Sequence, residues 1–231
     1  MRPSFSGLRR VCDGIDAPHG YTVAMSVAAL TTPALIEVLD LTGIAVFAAS
    51  GALAAARARQ TLVTFAFFAL VTGVGGGTVR DLLIGAPVFW VQDWRVPAVC
   101  LATALTIWVL PRKLWPERGV DWFDAVGLAV YAVFGAAKSL SLGVPPLPAV
   151  MMGVITACVG GIIRDVLAGV PSILLRPEIY VTAAALAAAL FVGLVLVGVP
   201  LAVAAGVGAA AGFGLRAMAI ARGLSIPAYK G

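Results

Sequence analysis

Charge is what this sequence has least of. Of 231 residues only 12% are Asp, Glu, Lys or Arg, against 61% hydrophobic, where a soluble domain carries about 25% charged and about 45–50% apolar residues. So little polar surface excludes a water-soluble particle and places the chain in a bilayer, in keeping with a mean hydropathy of +1.03. The apolar runs are continuous, which argues for membrane-spanning helices and against alternating barrel strands. His19 is the sole histidine, and Cys12, Cys100 and Cys158 are widely spaced with no CxxC pair. A metal centre, a disulfide framework and His-based acid–base chemistry therefore have nothing to build on. With no nucleophile–base pair visible either, the chain is not expected to be an enzyme, to have catalytic residues or to need a cofactor. The net charge of +5 lies at span ends, so it reads as topology and not as a nucleic-acid surface.

Residues 1–33 form an N-terminal extension of Gly, Pro, Ser and three arginines followed by a short apolar run, Val23 to Leu30. No convincing cleavage site follows that run, so it reads as a disordered extension, with Met25 as an alternative start. A membrane domain occupies 34–222 and a short tail 223–231. Seven spans are expected near 36–56, 61–84, 95–110, 123–142, 148–168, 178–198 and 200–221. The segment PRKLWPERGVDW, Pro111–Trp122, is the one clearly polar linker and divides the domain.

The two halves repeat. Asp40, Gly43, Gly51, Gly76, Gly77, Arg80, Asp81, Gly85 and Pro87 each have an identical residue 84 positions later: Asp124, Gly127, Gly135, Gly160, Gly161, Arg164, Asp165, Gly169 and Pro171. Between 72–87 and 156–171, 8 of 16 residues are identical with no insertion, more than shared apolarity explains. Repeat one covers about 36–110, repeat two about 120–198, and a final helix spans about 200–221. Three spans per half is an odd number, so the second half enters the membrane from the opposite face. The fold class is thus all-α integral membrane, a 3+3 inverted repeat plus a seventh helix, the plan of many transport proteins. Basic residues gather on one face (Arg57, Arg59, Arg112, Lys113, Arg118, Arg176, Arg216, Arg222, Lys230) against Arg95 and the N-terminal arginines on the other. The positive-inside rule then puts the N-terminus outside and the C-terminus in the cytoplasm.

Gly75, Gly76 and Gly77 each cost roughly 1 kcal/mol relative to alanine within a helix. They imply either close helix packing or a mid-span break whose freed backbone lines an aqueous path; Gly160 and Gly161 pose the same choice. Arg80 and Arg164, one turn beyond, are charges at bilayer depth, where such groups face the bundle interior, water or a partner. Snorkelling to the headgroups is the plainer alternative. Neighbouring residues point about 100° apart on a helix, so Arg80 and Asp81, and Arg164 and Asp165, are expected to have different partners in a structural network. Lys138, near the end of the fourth span, has Ala54 as its repeat equivalent and is either an asymmetric gate or a snorkelling anchor. Asp40 and Asp124 are expected to cap helix N-termini. The G-x-x-x-G at Gly208–Gly212, with Gly206 and Gly214, reads as a packing face.

The paired GG-x-x-RD-x-L-x-G-x-P segments, the glycines of each half's first span and the lysine late in the fourth resemble the prokaryotic trimeric intracellular cation channels. The match covers about 36–221. That resemblance implies a homotrimer in the cytoplasmic membrane with a pore in each protomer, conducting monovalent cations, potassium chiefly and sodium. It implies second and fifth helices kinked at Gly75, Gly76 and Gly77 and at Gly160 and Gly161, with basic positions at Arg80, Lys138 and Arg164. Val159 stands where the first half has Gly75, which leaves the second kink stiffer. Bacterial relatives have also been labelled glycine or small-amino-acid transporters, which supplies the rival reading. A structural membrane protein whose basic residues hold lipids is a third.

Overall fold

A computed structural model describes residues 33–111, 115, 118–175 and 179–225, with side chains from Asp40 onward. The N-terminal extension, the C-terminal residues from 226 and the basic residues Arg112, Lys113, Arg176 and Lys230 of the topology argument lie outside the described residues. Within them the chain is helical: α1 (Pro33–Arg57), α2 (Leu62–Leu83), α3 (Arg95–Val109), α4 (Gly119–Ser141), α5 (Pro146–Leu167), α6 (Val181–Leu196) and α7 (Leu201–Arg222). A four-residue helix, Phe89–Gln92, follows α2, and a 3₁₀ turn, Ile173–Leu175, stands at the matching place after α5. These seven long helices match the seven spans expected.

Local chemistry sets the ends. The Thr61 hydroxyl caps α2, and prolines open α5, where the missing N–H is not needed. α2 and α5 stop alike. Gly85 (φ 67°) and Gly169 (φ 66°) adopt the left-handed conformation, the Ala86 amide reaches back to the Asp81 carbonyl at 2.9 Å, and the Val170 amide to that of Asp165 at 3.1 Å. This closure favours glycine and is commonly followed by proline, so the G-x-P of the repeated motif is a helix stop.

Helices α1 and α2, α4 and α5, and α6 and α7 pack as neighbours, and α2 packs on α5 at the junction of the halves. The core is built of small residues: Ala48, Ala52, Ala55, Ala132, Ala136, Ala183, Ala184, Ala187 and Ala188 are buried, which lets backbones approach where lipid offers no hydrophobic drive to pack. Large apolar side chains, among them Val63, Phe67, Leu105, Leu147, Met151 and Val203, point outward, as a lipid-facing surface requires. Among the described residues α2, α4, α5 and α7 are long and apolar enough to cross a membrane, and α3 and α6 are shorter apolar helices.

Candidate functional site

The two duplicated glycine segments face each other. A Cβ added to Gly76 would fall on the Thr156 carbonyl, and one on Gly160 would lie 2.5 Å from the Thr72 carbonyl. These reciprocal contacts make α2 and α5 an antiparallel pair centred near Val74 and Cys158. Arg80 and Arg164 each lie six residues past that centre, so at 1.5 Å per residue they stand at most roughly 18 Å apart along the axes, at opposite ends.

At the Arg80 end, Arg80 Nε donates to Asp81 Oδ1 at 2.9 Å, and its Nη2 lies 2.8 Å from the same oxygen. Lys138 Nζ donates to both Asp81 oxygens at 2.9 and 3.0 Å, and the Phe89 amide donates to Oδ2 at 3.1 Å. Arg80 and Asp81 are 1% and 0% exposed, Lys138 25%. The guanidinium stands 5.9 Å from the Phe89 ring centre and 5.8 Å from that of Phe134, and its Nη1 has no hydrogen-bond partner. Beside them the Tyr131 hydroxyl donates to the Asp40 carboxylate at 3.0 Å.

At the Arg164 end, Nε and Nη2 of the arginine donate to Asp165 Oδ1 at 2.9 and 2.8 Å. Its Nη1 donates to Asp124 Oδ1 at 2.6 Å and to the Ser50 hydroxyl. The Ile173 amide donates to Asp165 Oδ2 at 2.8 Å. A cavity of about 300 Å³ opens over this cluster, lined by Ala54, Arg57, Asp121, Arg164, Asp165 and Ile173 among others.

These features recur in known proteins. One family model, described as Glycine transporter, matches residues 37–112 and again 121–196, one match per half. The UPF0126 membrane protein of Vibrio cholerae is 44% identical over 154 residues, which is 64% of each chain, so the match spans just under two thirds of that relative. The UPF0126 inner membrane protein YadS of Escherichia coli K12 is 46% identical over 154 residues, 64% of this chain and 73% of its own. A solved TRIC trimeric intracellular cation channel orthologue from Rhodobacter sphaeroides superposes with a TM-score of 0.76 at 42% identity, over 82% of this chain and 99% of that one. The chain belongs to the trimeric intracellular cation channel family.

Set against the sequence-based expectations, this TRIC-family structure brings Arg80, Asp81 and Lys138 into one cluster and Arg164, Asp165 and Asp124 into the other, and corrects several details. The helical hydrogen bonding runs unbroken through Gly75–Gly77 and through Gly160 and Gly161, so of the two readings close packing holds here and no carbonyls are freed. The missing side chains serve contact instead: Gly76 and Gly160 admit the facing backbones, and a Cβ on Gly77 would lie 2.6 Å from the Phe89 ring. Contact of this kind leaves intrahelical bonds intact where nothing apolar could replace them. Arg80 and Arg164 do bind their adjacent aspartates, against the 100° argument. That argument treats Cβ directions only, whereas a guanidinium on three methylenes bends back over its own helix end. Asp40 and Asp124 cap nothing: α1 begins at Pro33 and α4 at Gly119 with Arg118 at the cap position, so both carboxylates sit inside helices and bond across to Tyr131 and Arg164. Lys138 turns inward to Asp81 and does not snorkel. Arg216, placed with the basic residues of one face, is 1% exposed inside α7.

Sequence reasoning missed Ser50, Phe89, Tyr131, Phe134, Tyr180 and Arg216. The repeat offset holds a signal for all of them but Arg216. Ser50 pairs with Phe134, Phe47 with Tyr131, Phe89 with Ile173, and Val96 with Tyr180, so positions that differ between halves mark where the two ends differ in chemistry.

Proposed function

We propose that the protein is a monovalent-cation channel, permeable to potassium and sodium, with one pore in each protomer of a homotrimer. The pore follows the α2–α5 crossing: Gly75, Gly76, Gly77, Gly160 and Gly161 line its waist, and Arg80 with Lys138 and Arg164 gate its two ends. The observation that carries this reading is the pair of buried arginine–aspartate clusters at opposite ends of that crossing, on a chain related to a solved cation channel over nearly the whole of that channel's length. In the conformation described here both arginines are almost wholly buried and ion-paired, as a closed pathway requires. Opening then needs the clusters to part and α2 and α5 to bend at their glycines, whose cost in helix stability makes them the weakest points of those helices. Positive gates suit a cation path because conduction needs weak occupancy as well as entry. The transport unit is confined to residues 34–222 of the cytoplasmic membrane, with the N-terminus outside, the C-terminus in the cytoplasm and lipids around it; Asp40, Asp81, Asp124 and Asp165 hold the gates in register. Planar-bilayer recordings of purified protein test it: discrete potassium currents are expected, altered in open probability by Arg80→Ala or Arg164→Ala. No unitary current at any voltage sinks the reading.

A second reading, a secondary transporter of glycine or a similar small zwitterion, is favoured by the description of the matching family model. Arg57 and Asp121 in the cavity at the Arg164 end offer one charge of each sign to such a solute. Saturable uptake of labelled glycine into liposomes, without unitary current, would replace the first reading by this one.

A further inference from the structure

We propose that α7, the helix outside the repeat, holds the Arg164 cluster through Arg216 and Tyr180 and so sets how readily that end of the molecule opens. The family model's second match ends at residue 196, and α7 has no equivalent in the first half. Yet α7 buries an arginine. The Arg216 guanidinium stands 5.3 Å from the Tyr180 ring centre, within cation–π range, and its Nη1 donates to the Ile179 carbonyl at 3.3 Å. Tyr180 is 1% exposed and lies just before α6. Its hydroxyl occupies the notch left by Gly161: a Cβ there would be 2.6 Å from that hydroxyl and 3.0 Å from Asp124 Oδ1. The tyrosine is thus a wedge between Arg216 and the Asp124 carboxylate that holds Arg164.

The junction is under-satisfied, since the Tyr180 hydroxyl and Asp124 Oδ2 are buried without a conventional hydrogen-bond partner. Such groups are rare in a settled core and call for an explanation; a second arrangement of the cluster, in which they pair, supplies one. A further tie runs the same way, from Arg118 Nη1 at the start of α4 to the Ile220 carbonyl of α7, at 3.0 Å. At the opposite end the Phe89 ring, from the segment after α2, fills the equivalent notch at Gly77, and the equivalent of Tyr180 is Val96. α7 is also the least enclosed of the four long apolar helices, so what touches its outer face is felt at Arg164 through the Arg216–Tyr180 stack and the Arg118 tie.

The inference rests on the channel reading only for the meaning of opening, and its test uses no current. Ala54 lines the cavity at the Arg164 end and is 8% exposed. A cysteine placed there, in a Cys12→Ser background where Cys100 and Cys158 are buried, reports access to a cationic thiosulfonate reagent. Arg216→Ala and Tyr180→Leu, which removes the ring, are each expected to speed modification at least about fivefold, the lower end of ordinary coupling between sites. The double variant should be no faster than either alone, and Arg216→Lys, which keeps a cation over the ring, should restore the parent rate. Unchanged rates in monodisperse protein overturn the proposal. So does acceleration accompanied by modification of Cys100, buried against Gly73 of α2, which would mean general loosening. If Arg216→Ala does not fold, Tyr180→Leu against Arg216→Lys decides by the same criteria. Absence of currents in the parent protein would remove the channel reading and leave this result standing.

Discussion

The Arg80 and Arg164 clusters are built from one repeated frame and differ in which charges bond directly. Each has an arginine folded onto the next aspartate, a glycine stop, and a backbone amide returning eight residues later to the second carboxylate oxygen. At the Arg80 end two cations share one carboxylate; at the Arg164 end one cation holds two carboxylates and a hydroxyl. The difference comes from the positions that the repeat did not copy. Tyr131 engages Asp40 with its hydroxyl, whereas its counterpart Phe47 has none, and Asp124 bonds Arg164. The Ser50 hydroxyl accepts from Arg164 where Phe134 presents only a ring face to Arg80, and Lys138 stands where the first half has Ala54. Duplication supplied the geometry, and divergence of single side chains supplied the polarity.

The contrast can be broken most directly at the aspartates. Asp81→Ala leaves Arg80 and Lys138 without their shared carboxylate, a loss of about 3–5 kcal/mol for a broken buried pair, a large fraction of the 5–15 kcal/mol that holds a typical domain. Asp165→Ala leaves Arg164 with Asp124 and Ser50, and about 2 kcal/mol is expected for the lost charged hydrogen bonds. Thermal unfolding in detergent should rank the two in that order; equal losses would show that the ends are energetically alike. Ser50→Ala, smaller again, removes one hydrogen bond to a charged group and should cost about 1.5 kcal/mol, with the fall in melting temperature abolished in an Arg164→Met background. Lys138→Ala makes the Arg80 end a simple one-to-one pair. Because the lysine is partly exposed, it should cost under about 1 kcal/mol yet change the asymmetry of current with voltage, which recordings in symmetrical potassium chloride would reveal.

Much of this molecule was legible before folding. Hydropathy placed all seven spans, and the offset of 84 residues located both arginine–aspartate pairs and showed one half to be the inverted copy of the other. What failed concerned direction. Whether a glycine opens a helix or admits a neighbour depends on what stands opposite, and at Gly76 that is the Thr156 carbonyl, 80 residues away in the chain. Arg216 reads in sequence as a face-marking charge because a basic residue near a span end has the same local pattern whether it meets headgroups or the ring of Tyr180.

By itself, then, the sequence determined that the chain lives in a membrane, that it is two inverted halves and a seventh helix, and that each half carries an arginine beside an aspartate one turn past its glycines. Those conclusions follow from composition, period and repetition, which are properties of order along the chain. Only the tertiary structure decided that Asp124 joins Arg164 while Asp40 goes to Tyr131, that Lys138 turns inward, and that α7 reaches the Arg164 end through Tyr180. Partner choice among buried charges depends on how helices are rotated and set against one another, and that is fixed by packing among residues far apart in the chain.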